Sequence, residues 1–107
     1  MENLILNKVE EEVKSIDPEA KLVLFGSRAR GDAHDDSDWD FLILTSKELN
    51  PELEDEFRNR LYKLELEFEQ VISSVIENVV KWEDYLNSEF YQNIKEDGIE
   101  IENLKAA

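Results

Sequence analysis

Residues 26–40 read GSRARGDAHDDSDWD, a glycine-led stretch with two arginines followed by a cluster of aspartates. The cluster holds four acids within six positions, Asp35, Asp36, Asp38 and Asp40. An apolar run stands on each side, KLVLF at 21–25 and WDFLILT at 39–45, and both runs predict mostly buried strands. Like charges this close repel one another, so the stretch is either a solvated loop between two strands or a place that holds a cation.

The flanking sequence predicts helices and a third strand. Apolar residues at three- and four-residue steps predict an amphipathic helix over 2–16, which Asp17-Pro18 ends. Asn50-Pro51 has the form of a helix cap followed by proline at the first helical position, and it predicts a second helix. The segment LEFEQVISSVI at 66–76 is rich in β-branched residues and predicts a strand.

The end of the chain predicts one more helix and a tail. The helical spacing of four apolar residues predicts a helix that stops before Gly98 and buries Trp82, Tyr85, Leu86 and Ile94. We therefore expect one domain over 1–97 and a C-terminal tail over 98–107, since 107 residues suffice for one modest core. The order of elements predicts an α+β fold, a small mixed β-sheet with helices packed on it.

Composition narrows the classes of function. The net charge is −15, from 27 acids and 12 bases, which opposes binding to the phosphate backbone of a nucleic acid. With no cysteine and a single histidine, any metal would be bound by oxygen ligands. The first residues do not have the pattern of a signal peptide, and no apolar run is long enough to span a bilayer, so we expect a soluble, cytoplasmic protein.

Two common ion and phosphate loops do not fit the stretch at 26–40. An EF-hand calcium loop in this register needs glycine where Phe41 stands and glutamate where Lys47 stands. Gly26 and Gly31 have the spacing of a P-loop, but Asp32 stands where the phosphate-binding lysine should be. Both loops are therefore excluded.

A third interpretation divides the stretch into a metal site and a phosphate site. Asp38 and Asp40 lie two apart at the start of a strand, so both carboxylates face the same side with Cα atoms about 6.6 Å apart. Such a pair suits Mg²⁺, which takes carboxylate and phosphate oxygens. The backbone at Gly26 and the hydroxyl of Ser27 can bind a phosphate, with Arg28 or Arg30 adding positive charge. The whole stretch predicts phosphoryl or nucleotidyl transfer.

These residues resemble the signature of the minimal nucleotidyltransferases of the DNA polymerase beta superfamily, a Gly-Ser turn, a downstream glycine and Ser-Asp-x-Asp. The matching residues here are Gly26, Ser27, Gly31, Ser37, Asp38 and Asp40. The resemblance covers most of residues 2–95 and implies a polymerase beta-like nucleotidyltransferase fold. It also implies that the Gly-Ser turn and Ser37 bind the nucleotide, and that Asp38 and Asp40 are catalytic and ligate Mg²⁺.

One position departs from the pattern of the family. The family places a third carboxylate on the next strand, and VISSVI offers Ser73 near that place. Glu67 and Glu69 share the parity of Ser73, and Glu69 becomes a candidate third metal ligand if the register differs. Without a third acid, metal binding weakens and the domain becomes slow, dependent on a partner, or inactive.

The resemblance implies a Mg²⁺-dependent transferase that moves AMP from ATP to a hydroxyl group. Short members of the family pair with helical HEPN proteins in toxin–antitoxin modules, so it also implies protein AMPylation and an antitoxin function. Ser73 and the charge of −15 leave open an alternative, a binding module for a nucleotide or a partner that is catalytically weak or inactive.

Overall fold

The computed structural model describes residues 2–102 of the chain. Its helices are α1 (Glu2–Ile16), α2 (Ser27–Arg30), α3 (Pro51–Phe68), α4 (Val79–Trp82) and α5 (Glu89–Asp97), and a 3₁₀ turn (Glu83–Tyr85) follows α4. Its strands are β1 (Lys21–Phe25), β2 (Trp39–Thr45), β3 (Ile72–Asn78) and β4 (Ile99–Glu100). None of the helices within residues 2–102 combines the length and the apolar character that crossing a membrane requires.

The four strands form one mixed sheet in the order β3-β2-β1-β4. Strand β1 is antiparallel to β2 and to β4, whereas β2 and β3 run parallel. The register places Asp40 opposite Phe25 on one neighbour and opposite Ser73 on the other. The predicted α+β class, a small mixed sheet with helices packed on it, is confirmed.

Helices cover both faces of the sheet. Helices α1 and α3 pack on one face, in a core whose largest fully buried side chains include Ile5, Phe41 and Phe57. The other face carries a smaller core in which Leu42 and Leu44 pack with Trp82, Tyr91 and Ile94. Because side chains alternate along a strand, Asp40 projects to this second face, on the side of α4 and α5.

The predicted strand at 66–76 begins too early. Helix α3 continues through Phe68, and Glu69, in the left-handed conformation with φ 53°, ends it before β3 starts at Ile72. Phe57, Leu61, Leu64 and Phe68 continue the helical spacing onto the core, while Leu66 is 65% exposed. The β-branched residues of this segment favour a strand, but a helix through Phe68 forms because its spacing buries the larger side chains.

The predicted last helix is two helices. The side chain of Asn78 accepts hydrogen bonds from the backbone N–H groups of Val80 and Lys81 at the start of α4. A second cap follows at Ser88, whose hydroxyl accepts from the N–H of Tyr91 at the start of α5. Each cap begins a new helix, and the intervening turn leaves Tyr85 exposed instead of buried as predicted.

Part of the predicted C-terminal tail belongs to the sheet. Ile99 and Glu100 form β4 against β1, and Ile101 is 1% exposed within the larger core. The prediction of a tail starting at Gly98 is therefore wrong for residues 98–102. Its remaining residues, 103–107, lie outside the described part of the chain.

Asp17 is a buried carboxylate that ties the end of α1 to the end of β2. It accepts hydrogen bonds from the Thr45 hydroxyl at 2.7 Å, from the Ser46 N–H at 2.8 Å and from the Ser46 hydroxyl at 2.9 Å. The Glu19 N–H donates a further bond at 3.0 Å. Burial by itself would raise the pKa of Asp17, but these hydrogen bonds outweigh it and hold the pKa below its ordinary value.

We expect Asp17→Asn to lower the free energy of unfolding at pH 7 by about 2–3 kcal/mol, because an amide offers one acceptor oxygen to donors that now share a carboxylate. Since the folded-state pKa is lowered, the contribution is present above the unfolded value of about 3.9 and is lost as pH falls through the folded value. Urea unfolding from pH 7 to pH 3 should show the difference narrowing. Glu19→Gln, an exposed neighbour with the same charge change, should have little effect; an equal loss would contradict the assignment.

Candidate functional site

Gly26 stands at the end of β1, where the chain turns into α2 next to Asp40. Its φ of 76° and ψ of −159° belong to a region that only glycine occupies readily. A Cβ at this position would overlap Oδ2 of Asp40 and lie 3.2 Å from its Cγ. The turn therefore requires glycine, and a side chain at this position would also force the Asp40 carboxylate to move.

The acidic loop between α2 and β2 is held by Arg28. Its guanidinium donates to the carbonyl oxygens of His34, Asp35 and Ser37 at 3.3, 3.2 and 2.9 Å, and lies 4.2 Å from the ring centre of Trp39. Ser37 closes the turn, because its hydroxyl accepts a 2.8 Å bond from the His34 N–H and its own N–H donates to the His34 carbonyl. The loop that leads into Asp38 is thus hydrogen-bonded along its length.

The two arginines predicted to bind phosphate occupy different surroundings. Arg28 donates hydrogen bonds to the carbonyl oxygens of the loop, a structural role that the sequence analysis missed. Arg30 is exposed, with its Nε 3.4 Å from the Asp32 carboxylate, and its charge acts on Asp40. Arg30 therefore lies near enough to the aspartates for its positive charge to lower the pKa of Asp40. Nucleotide binding by Arg28, Arg30, Ser27 or Ser37 stays a prediction.

The charge of Asp38 acts on the Asp40 carboxyl. The pKa of Asp40 is raised, first because the carboxyl is partly buried and next because the negative charge of Asp38 lies near it, while Arg30 partly opposes the shift. A divalent cation would relieve this repulsion. The two carboxylates also fit Mg²⁺, which is commonly bound by one or two carboxylates together with substrate phosphates. Mg²⁺ binding by the pair stays a prediction.

Ser73 occupies the place on β3 that directly neighbours Asp40. The parallel register pairs the two residues, so their side chains project to the same face from strands about 4.8 Å apart. Ser73 is exposed and could be replaced by a longer side chain without entering the core. Ser73, which the sequence analysis placed near the position expected for a third carboxylate, therefore lies beside Asp40 on the same face of the sheet.

Glu69 is not brought to the aspartate pair, and its assignment as a metal ligand is not supported. It caps α3 in the left-handed conformation instead of lying in β3, because the helix extends further than predicted. Over residues 2–102, the structure assembles no group of three or more acidic or histidine side chains able to hold a metal ion. Metal binding by Asp38 and Asp40 stays a prediction, and the described residues place no third acidic or histidine ligand with them.

Comparison with known proteins gives the class of this chain. The sequence pattern of the nucleotidyltransferase domain matches residues 6–104. A provisionally named protein adenylyltransferase of Methanocaldococcus jannaschii is 33% identical over 78 residues, 73% of each chain. The fold is similar to that of a chain in a crystal structure of a toxin–antitoxin with AMP-PNP, with a TM-score of 0.63, 22% identity, and coverage of 90% of this chain and 71% of the other.

The chain belongs to the nucleotidyltransferase domain family. The resemblance and the nucleotidyltransferase fold inferred from residues 26–40 are thereby confirmed. The solved structure supports the fold alone at its level of identity. The roles of individual residues rest on the geometry described above.

We expect Asp40→Asn to stabilise the metal-free protein at pH 7. The folded state raises the pKa of Asp40, so it disfavours the charged form; that cost is absent below the unfolded pKa of about 3.9 and develops as pH rises through the folded value. Calorimetry in a chelator should show a higher unfolding temperature for the variant at pH 7, with the gap closing toward pH 4. The exposed loop variant Asp36→Asn should melt like the wild type. A lower melting temperature for Asp40→Asn would contradict the electrostatic assignment.

We expect Ser73→Asp to tighten Mg²⁺ binding by about tenfold or more, because it adds a charged oxygen ligand beside Asp40. Calorimetric titration with Mg²⁺ and a non-hydrolysable ATP analogue measures the change. Ser74→Asp is the matched control, since it adds the same charge at the next position, which alternates to the other face of β3. Equal tightening by both variants would mean that net charge, not position 73, sets the affinity.

Proposed function

We propose that this domain transfers AMP from ATP to a hydroxyl group of a partner protein, a HEPN-type toxin, and so acts as its antitoxin. The observation that carries the proposal is the contact between the glycine turn and the aspartate pair. Gly26 lies against the Asp40 carboxylate, and Arg28 holds the loop that presents Asp38. In this proposal a phosphate-binding turn and a metal-binding pair lie at the same end of the two central strands, β1 and β2, as transfer to a phosphorus atom requires.

The proposed roles follow from this arrangement. The backbone at Gly26 and the hydroxyl of Ser27 bind phosphate oxygens of the nucleotide, and Asp38 and Asp40 hold Mg²⁺. When bound, the ion supplies positive charge at the phosphates. In the reaction, the acceptor hydroxyl loses its proton to water, its oxygen forms a bond to the α-phosphorus of ATP, the bond from that phosphorus to the α,β-bridging oxygen breaks, and pyrophosphate leaves. Arg30 adds positive charge beside the pair.

The acceptor proton has no third carboxylate to receive it at position 73. Ser73 is the residue of β3 that pairs with Asp40. Its hydroxyl is a far weaker base than a carboxylate. We therefore propose that transfer is slow and that the acceptor protein itself helps to complete the site.

A protein acceptor is favoured over a nucleic acid by charge and by the relatives. The net charge of −15 repels the phosphate backbone of a nucleic acid, whereas a hydroxyl group of a protein is not repelled in this way. One relative is provisionally named a protein adenylyltransferase, and one structural neighbour belongs to a toxin–antitoxin. Both agree with a protein acceptor in a two-protein module.

Ser73 also supports a second candidate function. A domain without the third acid can retain the nucleotide and the partner while transferring nothing, so it would neutralise a toxin by binding alone. The two functions differ in whether Asp38 is needed. Removing that carboxylate abolishes neutralisation by chemistry and leaves neutralisation by binding intact.

The test is transfer of label from ATP carrying a radioactive α-phosphate, in Mg²⁺, to a HEPN-type partner protein. We expect label on the partner and release of pyrophosphate, with transfer lost in Asp38→Asn and retained in Asp36→Asn, which makes the same change at an exposed position of the loop. Toxin neutralisation is scored in parallel. If the wild type leaves the partner unlabelled while Asp38→Asn still neutralises it, the binding function replaces the enzymatic one.

A further inference from the structure

An exposed aromatic surface lies on the α4–α5 side of the sheet. It is built on Trp82, which is 7% exposed and whose ring centre lies 5.9 Å from the rings of both Tyr85 and Phe90. Tyr85, Leu86 and Phe90 are 45, 51 and 38% exposed. We call these three residues, together with Phe25, the aromatic platform. Large apolar side chains grouped at the surface commonly mark an interaction site.

The aromatic platform is continuous with the candidate site. Phe25 packs edge-on against Phe90, with ring centres 5.4 Å apart. Phe25 is also the residue that the antiparallel register places opposite Asp40, so both side chains project to the same face. The platform therefore reaches the position next to Asp40 on the same face of the sheet.

The charges around the platform favour a basic protein. The exposed acids from α4 to α5 are Glu83, Asp84, Glu89 and Glu96, against two exposed bases, Lys81 and Lys95. The whole chain carries −15, so a cationic partner is attracted and a phosphate backbone is repelled. Aromatic side chains can stack nucleobases, but the acidic surroundings make a nucleic acid the less favourable occupant.

We propose that the aromatic platform is the docking surface for the acceptor protein. Its occupant is a basic, amphipathic segment whose apolar side chains pack on Tyr85, Leu86 and Phe90. Its lysine or arginine side chains meet Glu83, Asp84 and Glu89, and docking presents a hydroxyl group of the partner to the site at Asp40. The transfer step rests on the function proposed above, whereas the docking does not.

The platform residues are testable because the chain offers a matched pair elsewhere. Tyr62 and Leu66 are also a tyrosine and a leucine, 57 and 65% exposed, on α3 at the opposite face of the sheet. The test variant carries Tyr85→Ser and Leu86→Ser, and the control carries Tyr62→Ser and Leu66→Ser. Circular dichroism and thermal melting establish that both remain folded.

The probes are three synthetic peptides and a single-stranded oligonucleotide, titrated at about 0.15 M salt to limit long-range attraction. One peptide has leucines on one helical face, lysines on the other and a single tyrosine; the second replaces lysine with glutamate, and the third replaces leucine with serine. We expect the first alone to bind the wild type. Its affinity should fall about tenfold in the Tyr85/Leu86 variant and stay unchanged in the Tyr62/Leu66 variant.

Docking is overturned if no peptide binds the wild type, if the two double variants bind the first peptide equally, or if the oligonucleotide binds and loses affinity in the Tyr85/Leu86 variant. Label transfer to the bound peptide separates docking from catalysis. Asp38→Asn should keep peptide binding and lose transfer. If the wild type binds the peptide through the platform but transfers no label to it, the proposed function is wrong and the docking surface is supported.

Discussion

The close approach of the Asp40 carboxylate to Gly26 is the constraint on which the site depends. It is possible because the antiparallel register of β1 and β2 places the end of one strand beside the start of the other. Strand β2 is buried along most of its length and is anchored at its far end, where the Thr45 hydroxyl donates to Asp17. Because one face of this strand is buried, its register is fixed, and the Asp40 position stays beside the turn.

The site uses polar groups that work against the stability of the metal-free fold. Burial and the charge of Asp38 both raise the pKa of Asp40, so its charged form is disfavoured until a cation compensates. The neighbouring loop, in contrast, is stabilised, because Arg28 donates hydrogen bonds to its carbonyl oxygens and packs on Trp39. Hydrogen bonds thus stabilise the loop beside the site, while the unfavourable negative charge remains on Asp40, where a bound cation would neutralise it.

Three features of one sheet face converge at Asp40. Ser73 on β3 pairs with Asp40, Phe25 on β1 connects Asp40 to the aromatic platform, and the glycine turn lies against the Asp40 carboxylate. In the function proposed above, the turn would bind phosphate, and the lack of a third acid at Ser73 would make transfer slow. The platform offers a surface through which a second protein could supply an acceptor.

Much of this arrangement was determined by the sequence itself. Helix α1 and strands β1 and β2 have the predicted bounds because their apolar periods are strong and local. The motif at 26–40 also predicted that the glycine turn and the aspartates lie side by side, and Gly26 does lie against Asp40. Tertiary structure decided what depended on distant pairing: that α3 runs to Phe68, that β4 joins the sheet, and that Glu69 stays away from the aspartates. Local patterns fit more than one outcome at these places, and only burial against the rest of the fold selects between them.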